Sequence, residues 1–104
     1  SSSVLKDRKQ LAEDGFCIVV LNRNTNEKGD LYDPFIISRG FLYDTELEKF
    51  NSMIKEEIMA VLHENDYLNK TPEEVRNLIK KSCSSLILKK TKRKPIIIAI
   101  VIDK

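Results

Sequence analysis

The chain has no tryptophan, one histidine, two cysteines, and only three glycines and three prolines among its 104 residues. Each shortage excludes something. So few glycines and prolines rule out a collagen-like or low-complexity chain, and an apolar fraction of 41% is too high for the disordered class. The longest apolar runs, Phe16 to Leu21 and Ile96 to Ile102, fall far short of the roughly 20 residues that cross a bilayer, so no membrane contact is expected. Ser1-Ser2-Ser3 is neither charged nor apolar, unlike a secretory leader. With no initiator methionine, the sequence reads as a piece of a longer protein, in which residues 1–3 are a vector remnant and residues 4–104 a single domain.

The shortage of histidine limits the chemistry. A zinc centre needs several His, Cys or carboxylate ligands, and a Ser-His-Asp or Cys-His device needs its base beside the nucleophile. His63 falls near the end of a predicted helix, the ordinary place for an exposed side chain or a partner of the helix dipole. Ser38, beside Arg39 and Gly40, lacks a Gly-x-Ser-x-Gly frame and a nearby base, so it reads as a turn or bulge residue. Cys17 and Cys83 belong to no Cys-x-x-Cys pair and read as two buried thiols, with a disulfide as the alternative. No catalytic residue, metal site or cofactor is expected in this chain.

What is present is charge, unevenly placed. The net charge of +2 divides into +6 over residues 72–104 and −4 over residues 1–71. Lys89-Lys90-Thr91-Lys92-Arg93-Lys94 puts five cations in six positions, where an extended chain could follow a phosphate backbone; a solvated helix end is the plain alternative. Arg39 joins this set if strand pairing brings it near. No zinc-finger spacing or aromatic RNA-reading string accompanies it.

Local patterns predict an α+β fold, a three-stranded mixed sheet packed on two helices in the order ββααβ. Phe16 to Leu21 is rich in β-branched residues and follows the turn signal Glu13-Asp14-Gly15, so it is the first strand. A polar loop, Asn22 to Asp30, leads to a second strand over Phe35-Ile36-Ile37 and Gly40-Phe41-Leu42-Tyr43, interrupted near Gly40, where a bulge or close backbone approach fits. Leu47, Phe50, Ile54, Ile58 and Leu62 recur at helical spacing within Thr45 to Glu64. Thr71-Pro72-Glu73-Glu74 is a capping box that starts a second helix running to about Lys90, with Val75, Leu78, Ile79, Cys83 and Leu86 inward. Ile96 to Ile102 is the last strand, parallel to the first and antiparallel to the second. Its length and β-branching favour a central place beside the first strand.

Two helices cover one face of such a sheet, yet the first and last strands are apolar at odd and even positions alike. One apolar face therefore needs a cover: a second copy, another domain of a parent chain, or the segment Val4 to Leu11. The last strand supplies either Ile96, Ile98, Ile100 and Ile102 or Ile97, Ala99 and Val101 to that face, because a one-residue shift exchanges the sets.

Three segments carry a resemblance. Val4-Leu5-Lys6-Asp7-Arg8 with Leu11-Ala12-Glu13-Asp14-Gly15, then Pro34-Phe35-Ile36-Ile37-Ser38-Arg39-Gly40-Phe41-Leu42-Tyr43, then Thr91-Lys92-Arg93-Lys94-Pro95-Ile96-Ile97-Ile98 together resemble the C-terminal domain of ribonuclease J over nearly the whole chain. Lys94 stands where arginine is common, and Ala99 where proline is frequent. The resemblance implies a cytoplasmic bacterial parent that processes and degrades RNA as a 5′-to-3′ exonuclease and endonuclease. Its metallo-β-lactamase and β-CASP core would hold zinc through a His/Asp-rich motif that this chain does not contain. The family's C-terminal domain is a three-stranded sheet on two helices, tied to oligomer formation and full activity. The implied partners are a second copy or paralogous subunit, through Ile96, Ile98, Ile100 and Ile102, and the catalytic core. RNA is the further candidate partner, through Arg39, Lys89, Lys90, Lys92, Arg93 and Lys94.

Overall fold

Phe16 to Asn22 forms β1, and the polar loop after it returns the chain as β2 (Phe35–Arg39), antiparallel to β1 with Ile18 opposite Ile37. The structure is a computed structural model and describes residues 2–103. Two helices follow, α2 (Asp44–Glu64) and α3 (Pro72–Thr91), joined by a single 3-10 turn at Tyr67–Asn69. The chain then enters β3 (Ile96–Ile102), parallel to β1 with Phe16 opposite Ile96. The order β1, β2, α2, α3, β3 and the mixed sheet are those predicted.

Each helix forms for legible reasons. Thr71 Oγ1 accepts from the Glu74 amide at 3.2 Å, and the Thr71 amide donates back to Glu74 Oε1 at 3.1 Å, which closes the expected capping box. Those bonds hold the Glu74 carboxyl below its ordinary range. Neither Tyr43 nor any other side chain caps α2 at its N-cap, but Asp44 and Glu46 place negative charge on its first turn. Leu47, Phe50, Ile54, Ile58 and Leu62 of α2 and Val75, Ile79, Cys83 and Ile87 of α3 are buried against Cys17, Val19, Leu21 and Ala99 of the sheet.

Four expectations are corrected. A helix absent from the prediction, α1 (Ser2–Asp14), precedes β1; it includes Ser2 and Ser3 and has no buried residue. Its apolar residues are too few to mark a stripe, which is why periodicity passed over it. The remnant assigned to residues 1–3 reaches outside the described residues only at Ser1. The sheet order is β2-β1-β3, so β1 is central and β3 is an edge. Continuous apolarity in β3 reflects one face on the core and one left open, not a central position. β2 ends at Arg39 without a bulge, and Ser38 is a regularly paired residue opposite Cys17. Phe41 turns inward instead of extending the strand, and its ring packs edge-on against Phe50 at 5.8 Å. The close approach expected at Gly40 is present, with Gly15 as the other side of it: an added Cβ on Gly40 would lie 2.8 Å from the Gly15 Cα.

Candidate functional site

Register divides the sheet's side chains between two faces. Cys17, Val19, Leu21, Ile36, Ser38, Ile97, Ala99 and Val101 point toward the helices; Phe16, Ile18, Val20, Phe35, Ile37, Ile96, Ile98, Ile100 and Ile102 point the other way. Of the two candidate sets in β3, Ile96, Ile98, Ile100 and Ile102 are therefore on the open face. Nothing among the described residues covers it. Phe35 is 61% exposed, Ile98 and Ile100 43%, and Ile102 42%, so the segment Val4 to Leu11 does not serve as the lid considered for it. Val4, Leu5 and Leu11 are themselves exposed. The prediction counted outward residues from the first and last strands only; alternation over Phe35, Ile37 and Arg39 was the signal for the contribution of β2.

The cations do not form one track. Residues 89–91 are helical and Lys92 takes the left-handed conformation that ends α3, so the basic segment is not an extended chain. Lys89 and Lys90 line different clefts beside α2, the first with Glu57, Val61 and Lys81, the second with Lys49 and Met53. Arg39 is on the rim of the open face, two strands away from Ile96, with Nη1 donating to the Ser38 carbonyl at 2.7 Å. Among the described residues no ion pair involves it.

Arg93 and Lys94 have a different role, one that the charge run concealed. Arg93 Nη1 donates to the Glu13 carbonyl at 3.0 Å and to Asp14 Oδ1 at 3.3 Å, the Lys94 amide donates to Asp14 Oδ2 at 3.0 Å, and Gln10 Nε2 donates to the Lys94 carbonyl at 2.6 Å. The segment that leads into β3 thus clasps the end of α1. Replacing Arg93 by alanine is expected to speed amide exchange in α1 by about tenfold while the global melting temperature moves by no more than a few degrees, because α1 buries nothing. Hydrogen-exchange mass spectrometry on the two chains reads the first quantity and a thermal melt the second.

The polar groups inside the domain are structural. Ser38 Oγ donates to Asn51 Oδ1 at 2.7 Å, tying β2 to α2, and lies 3.5 Å from Cys17 Sγ. Cys17 and Cys83 are free and fully buried; the hydrogen bond between them draws the Cys17 thiol down and, with burial, pushes the Cys83 thiol up, and neither sulfur is open to a substrate. His63 is exposed and meets the Tyr67 ring edge-on at 5.6 Å. Among the described residues no three His, Cys, Asp or Glu side chains gather as metal ligands. No helix among them is long and apolar enough to cross a membrane.

Comparison with known proteins places these observations. The sequence profile of the Ribonuclease J C-terminal domain family matches residues 3–104. The chain is 32% identical over 101 residues to Ribonuclease J2 of Bacillus subtilis (strain 168), covering 96% of this chain and 18% of that protein. It is 31% identical over 99 residues to Ribonuclease J 2 of Staphylococcus epidermidis and 33% identical over 100 residues to Ribonuclease J 2 of Staphylococcus saprophyticus, covering 94% of this chain in both cases. It spans 18% of the length of each of these curated relatives.

Proposed function

Because the chain belongs to the ribonuclease J C-terminal domain family, we propose that it is the non-catalytic assembly domain of a longer, cytoplasmic ribonuclease, and that its open sheet face is where a second copy sits. The observation that carries this reading is the row of Phe35, Ile98, Ile100 and Ile102, all more than two-fifths exposed on one side of a regular sheet. A monomer gains nothing from holding these side chains in water, whereas a second copy offers the same apolar surface in return.

Catalysis belongs elsewhere in the parent. The exonuclease and endonuclease activities that the resemblance implies, and the zinc they would use, need a ligand set that the described residues do not supply, since His63 stands alone against Tyr67. The domain would act on RNA turnover by holding catalytic cores together. RNA contact is the second reading, and Lys89, Lys90 and Lys92 are the members of the basic segment outside the clasp and without an ion pair among the described residues. Binding of a short RNA strand that collapses with added salt would favour it.

Ile100→Asp tests the first reading. It places a carboxylate on the open face without touching the core, so the helical circular dichroism should be unchanged while the dissociation constant of the assembly rises at least about tenfold. Sedimentation velocity over a concentration series measures the constant. Loss of helical signal would show that the position is core, and an unchanged constant would remove the face from the assembly.

A further inference from the structure

The ladder between β1 and β3 fixes which backbone groups of β3 are used. Ile96 N–H donates to the Gly15 carbonyl at 3.0 Å, and Arg23 N–H donates to the Ile102 carbonyl at 2.9 Å. In a parallel pair this makes Ile96, Ile98, Ile100 and Ile102 the residues whose amides and carbonyls point at β1. The amides and carbonyls of Ile97, Ala99 and Val101 then point outward along the free edge of the sheet, and none of these six groups bonds to backbone elsewhere among the described residues.

Natural sheets blunt such edges with charge, proline, bulges or short strands. β2 does so: it is five residues long, lies between Pro34 and Gly40, and ends on Arg39. β3 has none of these devices across its seven residues, Ile-Ile-Ile-Ala-Ile-Val-Ile. α1 meets this strand at its start, where Asp7 and Gln10 line a cleft with Pro95, Ile96 and Ile97.

We propose that the edge is completed by β3 of a second copy, running antiparallel about a two-fold axis through Ala99. One register uses every free group. With Ala99 opposite its own counterpart and Ile97 opposite Val101 of the other chain, three hydrogen-bonded pairs form and all six groups of each copy are satisfied. Two copies then share one six-stranded sheet with both open faces on the same side.

The proposal rests on the second-copy reading above and adds an edge contact to the face contact. A three-stranded face, with strands about 4.8 Å apart and roughly 23 Å long, has a flat footprint of only about 330 Å². Stable interfaces bury about 800 Å² per partner. Edge pairing doubles the continuous apolar face, and a pair of such doubled faces can stack into a four-copy assembly.

Cross-linking reads the register. Across the axis Ile98 faces Ile100 of the other chain as a non-hydrogen-bonded pair, with Cα atoms about 4.5 Å apart, within disulfide range. Ile98 faces its own counterpart only diagonally, at about 8 Å, which is too far. Ile98→Cys and Ile100→Cys chains, each checked by circular dichroism for an unchanged fold, are mixed in equal amounts and treated with oxidised glutathione. Up to about half of the mixture should become a disulfide-linked pair, with little from either chain alone, and Cys17 and Cys83 stay silent in the core. Linking no greater in the mixture than in the separate chains overturns the register. Light scattering on the reduced mixture separates the two readings: a multimer without selective linking sinks only the edge pairing, whereas a monomer sinks the second-copy reading as well.

Discussion

Replacing Gly15 by alanine is expected to remove a large share of the domain's stability. Gly15 joins α1 to β1 at φ +74°, and an added Cβ would lie 1.9 Å from the Arg39 carbonyl oxygen and 2.7 Å from the Gly40 Cα. Both obstacles are backbone, and one belongs to the residue paired with Phe16 at the end of β2, so relief requires β2 to leave β1. The cost should reach at least about 4 kcal/mol, a large share of the roughly 5–15 kcal/mol that stabilises a small domain. Gly29 provides the control. It has φ +85°, but an added Cβ meets nothing within 4 Å, so Gly29→Ala should cost only about 1 kcal/mol from the backbone conformation alone. Thermal melts of the two variants separate steric clash from dihedral strain, and equal losses would contradict the assignment of a clash to Gly15.

Arg23→Ala should be the most damaging change among the charged residues, at about 3 kcal/mol. Arg23 directly follows β1 and its side chain is only 10% exposed. Nη1 donates to the Tyr67 carbonyl at 2.9 Å and to the Lys70 carbonyl at 2.6 Å, while Nε donates to Asp103 Oδ1 at 2.6 Å and Nη2 pairs with Asp103 Oδ2. One guanidinium thereby ties the end of β1 to the turn between α2 and α3 and to the residue after β3. Alanine leaves two carbonyls without their donor, and lysine cannot span both sites with one ammonium, so Arg23→Lys should recover less than half of the loss. The same contact gives a pH dependence of known sign. The hydrogen bonds from Arg23 hold Asp103 below the ordinary carboxylate range, so the pair's stabilisation is present above the unfolded carboxylate range and lost as pH falls through the lowered folded value. Chemical denaturation at neutral pH and in acid measures both effects, and a wild-type minus Arg23→Ala difference that does not shrink in acid would contradict them.

The parts of the fold legible in the sequence are those set by local rules. Thr71, Pro72 and Glu74 announce the start of α3 because capping chemistry is confined to four residues, and the stripe from Leu47 to Leu62 needs no partner to be recognised. Strand order was not legible. β1 and β3 are equally apolar, and only the assembled sheet shows that β1 has a neighbour on each side. The open face was foreseen from the apolarity of both strand phases, but the choice of Ile96, Ile98, Ile100 and Ile102 required a register, which a single-residue shift inverts. The clasp made by the basic segment was not legible for a related reason. Charge run and clasp look the same in sequence, because the acceptors of Arg93 and Lys94 are 79 to 80 residues away at Glu13 and Asp14.

The second-copy reading is tested most directly by the molar mass of the isolated chain, from light scattering coupled to size exclusion over a wide concentration range and at low and high salt. The apolar face predicts a mass of two or four times 12.0 kDa that persists in about 1 M salt, since burial of isoleucine and phenylalanine is not screened by ions. A constant 12.0 kDa at every concentration and salt would contradict it, and would assign the open face to another part of the parent chain.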